Sequence, residues 1–263
     1  MILEKIAAKT IERIEEKKKQ IPLERIKAQA LAMNPDTGFP FERALGSSGS
    51  EDIRFICEVK KASPSKGVIA EDFPYLQIAK EYEAAGASAI SCLTEPYFFQ
   101  GQDSYLEEIA QAVQIPVLRK DFTVDEYMIY EAKILGASAV LLICSILEEK
   151  QLKSYLQLAH DLGLSALVEA HDEQEVEMAL RSGAAIVGVN NRNLKTFEVD
   201  IQNSIRLRKM VPPEIIFVSE SGMRTPEDIA ALRTNGTDAV LIGETLMRSA
   251  DKKKMLDELR GMK

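Results

Sequence analysis

Gly86-Ala-Ser-Ala89 and Gly136-Ala-Ser-Ala139 are the same four residues written twice, and Gly183-Ala-Ala-Ile186 and Gly236-Thr-Asp-Ala239 keep the pattern. Each stands where a helical pattern stops and an apolar run begins. A glycine at that point supplies the left-handed residue that closes a helix, and the small residues after it allow tight helix-to-strand packing. The copies recur about every 50 residues, too far apart for one strand–helix unit and about right for two.

Working outward from them, apolar runs predict strands at 55–60, 89–94, 116–120, 139–143, 166–169, 186–190, 215–219 and 239–242. Helical patterns fill the intervals at 73–86, 103–113, 124–136, 148–162, 172–183, 200–210, 226–235 and 245–260. The glycine copies precede strands two, four, six and eight. Alternating units with short connections imply parallel strands and right-handed crossovers. Eight such units predict an α/β fold, a (β/α)8 TIM barrel. The alternative is an open doubly wound sheet, which would usually carry a Gly-x-Gly-x-x-Gly turn after an early strand, and the sequence has none. It also lacks P-loop, His-Glu-x-x-His and Gly-x-Ser-x-Gly motifs.

Before the first strand, Leu3, Ile6, Ala7 and Ile14 fall at helical spacing among Glu and Lys, and Pro22 limits that helix. A second short helix is expected over 22–31 and a loop at 34–38. Residues 1–50 are thus expected to be an N-terminal helical extension of a single domain spanning 1–263.

The bulk numbers narrow the function. A formal net charge of −8 disfavours nucleic acid, which needs a basic face, but leaves room for a small phosphorylated ligand. The longest charge-free run, 134–147, is too short to cross a bilayer. The N-terminus shows no signal-peptide core, so no membrane association and a cytoplasmic location are expected. Cys57, Cys92 and Cys144 are isolated inside apolar runs without metal-ligand spacing, and no metal site is expected.

Active sites of such barrels lie at the carboxyl ends of the strands. Strand one ends in Glu58-Val-Lys60 and leads into Lys61-Ala-Ser-Pro-Ser-Lys-Gly67, a polar loop suited to an anion. Alone, Glu58 and Lys60 could be a surface ion pair, worth little. The other strands change that reading. Strand two runs into Thr94-Glu95 and Phe98-Phe-Gln-Gly101, strand three into Arg119-Lys120-Asp121-Phe122, strand five into Glu169, strand six into Asn190-Asn191-Arg192. Strand seven ends in Glu220-Ser221-Gly222 and strand eight in Gly243-Glu244; strand four ends without ionisable groups at Cys144-Ser145. Lys60, Lys120, Glu58 and Glu169 all come from odd-numbered strands, which share barrel layers, so all four are expected to reach one small substrate for acid–base work. Ser221-Gly222 and Gly243-Glu244 close the last two strands, where backbone N–H groups commonly hold a phosphate.

Taken in order, Glu58-Val-Lys60-Lys61-Ala-Ser-Pro-Ser-Lys-Gly, Leu93-Thr-Glu with Phe98-Phe-Gln-Gly, Leu118-Arg-Lys120-Asp-Phe, Leu167-Val-Glu169-Ala-His, Gly188-Val-Asn190-Asn-Arg192-Asn-Leu and Ser219-Glu220-Ser-Gly resemble the indole-3-glycerol-phosphate synthase family, from leader to last helix. The resemblance implies a lyase of tryptophan synthesis that needs no cofactor, acting on a phosphorylated arylamino-deoxyribulose, and it allows association with other tryptophan-pathway enzymes. By the same resemblance Lys120 is the general acid, and Lys60, Glu58 and Glu169 share the remaining proton transfers. Asn190 and Arg192 would hold the substrate's carboxylate, Phe99 and Phe122 would sandwich its aromatic ring, and Glu220 would bind sugar hydroxyls or steady a lysine. Ser63, Ser221, Gly222, Gly243 and Glu244 would hold the phosphate. One position departs from the family pattern: Gln102 stands where Ser is usual, which bears on the loop after strand two. The competing expectations are a phosphoribosyl isomerase, which would not need both lysines, and a non-catalytic scaffold, which would not be expected to keep them.

Overall fold

A computed structural model of the chain describes residues 2–46, 52–193 and 196–262. The expected end of the leader at residue 50, and Leu194 of the fifth motif, lie outside the described residues.

Three helices come first: α1 (Ile2–Gln20), α2 (Leu23–Leu31) and α3 (Pro40–Leu45). The barrel strands are β1 (Arg54–Val59), β4 (Ala89–Leu93), β5 (Val117–Lys120), β6 (Ala139–Ile143), β7 (Ser165–Ala170), β8 (Ile186–Asn190), β9 (Ile216–Glu220) and β10 (Ala239–Ile242). They are parallel and close in sequence order, β10 pairing back onto β1. Between them run α4 (Tyr75–Ala84), α5 (Asp103–Ala112), α6 (Glu126–Ile134), α7 (Glu149–Asp161), α8 (Glu173–Arg181), α9 (Gln202–Leu207) and α10 (Pro226–Thr234), with α11 (Glu244–Arg248) and α12 (Lys252–Arg260) at the end.

The four glycines of the repeat behave as their position requires. Gly86, Gly136, Gly183 and Gly236 have φ between +78° and +86°. The residue after each donates back to the last turn, Ala87 to Tyr82 and Ala137 to Ala132 at 3.0 Å, the double-bonded helix stop that needs a left-handed residue.

The sequence reading departs from the structure in four places. A two-stranded hairpin, β2 (Ala62–Ser63) with β3 (Gly67–Val68), occupies the loop after β1. The helix expected over 245–260 is two helices, because Asp251 caps a fresh start with its side chain on the Lys254 N–H. The helix expected over 200–210 ends at Leu207 and tightens into a 3₁₀ turn over Arg208–Met210. Finally, α3 is too short to show a helical period. Its Phe41 and Leu45 are wholly buried at the amino-terminal end of the barrel, against the interior cluster that holds Ile56, Ala89 and Leu167. Each contributes about 1.5–3 kcal/mol relative to exposure.

Strand pleating separates two cores. Phe55, Cys57 and Val59 face the helices, in one cluster with Tyr82 and Ile90. Ile56, Leu118, Leu167 and Val218 face inward from β1, β5, β7 and β9 and form one interior layer. That layer fixes what lies above it, since two residues further along the same four strands are Glu58, Lys120, Glu169 and Glu220.

Candidate active site

Glu58, Lys120, Glu169 and Glu220 therefore occupy the next layer up, at the floor of a cavity of about 390 Å³ at the carboxyl end of the barrel. All four are buried or nearly so. Lys60, just past β1, turns its ammonium back onto Glu58 Oε1 in a close ion pair. The Lys120 ammonium stands between two acids, in close contact with Glu220 Oε2 and 3.3 Å from Glu169 Oε2. The four residues singled out for proximity, Lys60, Lys120, Glu58 and Glu169, line this one cavity, and Glu220 joins them.

Two glycines make room for the acids. A side chain at position 188 would collide with Glu220 Oε1, and one at position 243 would collide with Glu58 Oε1. Two of the even barrel strands thus leave space for carboxylates that two of the odd strands contribute.

The charges in the layer do not balance. Glu58, Glu169 and Glu220 face two ammonium groups, Lys60 and Lys120. Burial opposes the charge on Lys120, but Glu220, Glu169 and Glu58 together hold its pKa well above the ordinary lysine value. Glu169 would be pushed up by burial, but Lys120, His171 and a hydrogen bond from Asn190 bring it down to about 2. Glu220 is the acid left over. Burial lifts it to about 7, with Glu169 and Glu58 adding to the rise and Lys120 opposing it. Its Oε1 is buried without a hydrogen-bond partner. Such a carboxyl exchanges its proton near neutrality, which is what acid–base work needs.

Around this floor the remaining expected residues take their places. Asn190 accepts the Arg192 backbone N–H at 3.0 Å, and Arg192 lines the cavity with Nη1 3.3 Å from the Phe197 carbonyl. Phe99 and Phe122 lie with ring centroids 5.9 Å apart and planes tilted by 38°. They touch each other and present one apolar wall; two parallel jaws around a third ring would need about twice the ~3.5–4 Å contact distance between carbon atoms. Ser63 sits on the β2–β3 hairpin at the cavity edge. Ser221 and Gly222 follow β9 with φ of +68° and +96°, a sharp turn that brings their backbone to the cavity. Gly243 caps α11, and the Glu244 carboxylate pairs with Lys66 at 3.4 Å and with Arg248 at 3.1 Å. Gln102 is exposed at the start of α5 and makes no capping bond with its side chain.

Three rim residues of the sequence reading do other work. Arg119 points to the helix side, where its guanidinium meets Asp103, Glu131 and the Met128 carbonyl. The Asp121 carboxylate is held by both oxygens on Arg13 at 2.9 Å and by Thr94 at 2.7 Å. Glu95 accepts the N–H groups of Tyr97, Phe98 and Phe99 and so ties its own loop. Period-two alternation about Lys120 accounts for the first two.

The sequence reading did not place α1 in the site. Ile2, Leu3 and Ile6 form part of the cavity wall. Their helical spacing shows an apolar face but not which surface that face meets. Among the described residues no cluster of His, Cys, Asp and Glu is placed to hold a metal ion, and no helix is long and apolar enough to cross a membrane.

A closed eight-stranded barrel with lysines and carboxylates in one layer at its carboxyl mouth is a scaffold equipped for acid–base chemistry. Two solved structures that it resembles at low identity show the barrel fold. One is 3-hexulose-6-phosphate synthase from Salmonella typhimurium, with TM-score 0.66 and 13% identity over 80% of this chain and 97% of that one. Another is a mutant tryptophan synthase alpha-subunit from Pyrococcus furiosus, with TM-score 0.62 and 17% identity over 80% and 99%. Sequence is more specific. The family model described as indole-3-glycerol phosphate synthase matches residues 3–259, and the chain belongs to that family. A relative of that name from Ruminiclostridium cellulolyticum is 59% identical over 99% of both chains. One from Endomicrobium trichonymphae is 54% identical over 99% of this chain and all of its own.

Proposed function

We propose that the chain closes 1-(2-carboxyphenylamino)-1-deoxyribulose 5-phosphate to indole-3-glycerol phosphate, releasing carbon dioxide and water, as a carboxy-lyase of tryptophan biosynthesis. One observation carries the reading: Lys120, held charged between Glu169 and Glu220 at the cavity floor, in a chain of this family. Ring closure needs a proton on the ketone oxygen while the ring carbon that bears the carboxylate attacks the ketone carbon. A buried ammonium is suited to donate it. Loss of carbon dioxide then restores the aromatic ring, and the new hydroxyl leaves as water with a second proton.

Lys60, Glu58, Glu169 and Glu220 serve that dehydration as donors and acceptors, with Asn190 steadying Glu169. Arg192 holds the substrate carboxylate, for which its planar fork is suited, and the Phe99–Phe122 wall meets the aromatic ring. Ser63, Ser221, Gly222, Gly243 and Glu244 hold the phosphate, the last two through backbone N–H. Residues 1–263 act as one cytoplasmic domain, and the buried Arg13–Asp121 pair between α1 and the end of β5 supports treating the leader as part of it.

The protein has no tryptophan, so product indole fluorescence can be followed against a dark background. Purified protein given the arylamino-deoxyribulose phosphate should generate that signal, and the signal should vanish with Lys120→Met. Well-folded wild-type protein that produces no indole would overturn the assignment.

A further inference from the structure

His171 does not line the cavity, yet it touches the catalytic layer from behind. Its Nε2 lies 3.3 Å from Glu169 Oε1, the oxygen turned away from Lys120, as an ion-pair contact off the hydrogen-bond axis. Its Nδ1 lies 2.9 Å from Glu175 Oε2 on α8, and the same oxygen accepts the His171 backbone N–H at 2.9 Å. The backbone carbonyl of His171 accepts from Asn203 on α9 at 3.0 Å. The ring is thus fixed between two carboxylates from different elements.

A neutral imidazole carries one N–H and one lone pair. With carboxylates at both nitrogens, a neutral ring would aim its lone pair at one of them, and only the imidazolium answers both. The other ionisable groups near it are few. Asp172 and Glu173 lie on the α8 side, with Glu173 paired to Arg206. Cys144 lies behind Glu175 with its thiol 3.5 Å from the Glu175 carbonyl. Lys120 lies beyond Glu169. The result is a line of alternating charge, Glu175–His171–Glu169–Lys120–Glu220, running from the helix layer into the cavity.

This line decides which acid beside Lys120 is short of a cation. Glu169 has two, Lys120 and His171, whereas Glu220 has only a share in Lys120. We infer that His171 is a positioning residue: as an imidazolium it holds Glu169 as the carboxylate and leaves the exchangeable proton of the pair to Glu220. The ring's own pKa, pulled down by burial but raised by Glu169 and Glu175 to about 10, agrees with this assignment. The inference rests on the proposed activity only for its kinetic readout.

Two measurements test it. The chain has two histidines, so the imidazole resonances of wild-type protein can be assigned with His171→Gln. The His171 ring should remain doubly protonated at about pH 8, well above an ordinary histidine; a neutral ring there overturns the inference. In the indole assay, His171→Gln should move the neutral-range inflection of kcat upward by about one pH unit, the low end for loss of a neighbouring opposite charge. KM should stay within about threefold of wild type, because the ring does not face the cavity. An unmoved inflection in folded His171→Gln protein also overturns the inference. Wild-type protein that makes no indole would instead refute the proposed activity, and the resonance measurement would still decide the charge on His171.

Discussion

Strand β5 carries two buried charge networks on its two faces, and they are built differently. Arg119 and Asp121 face outward. With Arg13 and Lys17 from α1, Asp103 from α5 and Glu131 from α6 they make three cations against three carboxylates. The carboxylates are held repeatedly, Asp103 at 2.5 and 2.7 Å and Glu131 at 2.6 Å from both Lys17 and Arg119. Lys120, between them in sequence, faces inward to three carboxylates served by two lysines. The balanced network relies on arginine, whose flat fork makes several fixed bonds and keeps its proton. The unbalanced one relies on lysine and leaves a carboxyl near its titration point. The difference separates a joint from the proposed reaction centre: the first fastens α1 to the barrel, and the second is equipped to move protons.

Lys120→Met should break the inner network most completely. The expected loss in kcat is on the order of 10³-fold, within the range for removal of a positioned general acid. The protein should still fold, because Glu169 and Glu220 without their cation take up protons in place of staying charged; steady-state indole formation and calorimetry read the two. Arg119→Met should do the reverse. Removing one partner of a buried ionic set costs about 3–5 kcal/mol of stability, readable by urea unfolding, while the protein that remains folded keeps kcat within an order of magnitude. If both variants lost activity and stability alike, the two faces of β5 would not be separable.

Gly188→Ala sharpens the comparison without touching a charge. The added methyl meets Glu220 Oε1, and displacing a catalytic group by about 1 Å can cost around 10²-fold in rate. The expected signature is a kcat loss of about 10²-fold, about 2.7 kcal/mol of barrier, in protein that stays folded with a stability loss of about 1–3 kcal/mol for overpacking.

Strand ends were legible because a charge closing an apolar run is conspicuous, and Glu58, Lys120, Glu169 and Glu220 were found that way. Which face of β5 each neighbour took was a matter of pleat, and grouping Arg119 and Asp121 with the rim ignored it. Arg13 was hidden for a related reason. A charged residue on a charged helix reads as solvated, and only its partner 108 positions away shows that it is buried. The six residues of α3 offered too little length for a period, although Phe41 and Leu45 close the barrel floor. His171 was written out within a motif, but its role depends on Glu175 one helical turn away meeting the same ring, which spacing alone does not give.

The smallest expected effect concerns pH and stability. A carboxyl whose pKa is raised on folding, as at Glu220 from 4.5 to about 7, adds stability that is full below about 4.5 and is lost as pH rises through about 7. Glu220→Gln removes that dependence, so its urea midpoint should change less between those two pH values than the wild-type midpoint does. His171 acts at higher pH, its contribution present below about 6.5 and lost as pH rises through about 10.

The most direct measurement is the pH dependence of kcat for indole formation in wild-type protein and in Glu220→Gln. A layer short of one cation, with Glu220 carrying the exchangeable proton, predicts a wild-type inflection near pH 7 that is absent from the slower variant. An inflection of the same position and steepness in Glu220→Gln would place that proton on another group and contradict the account.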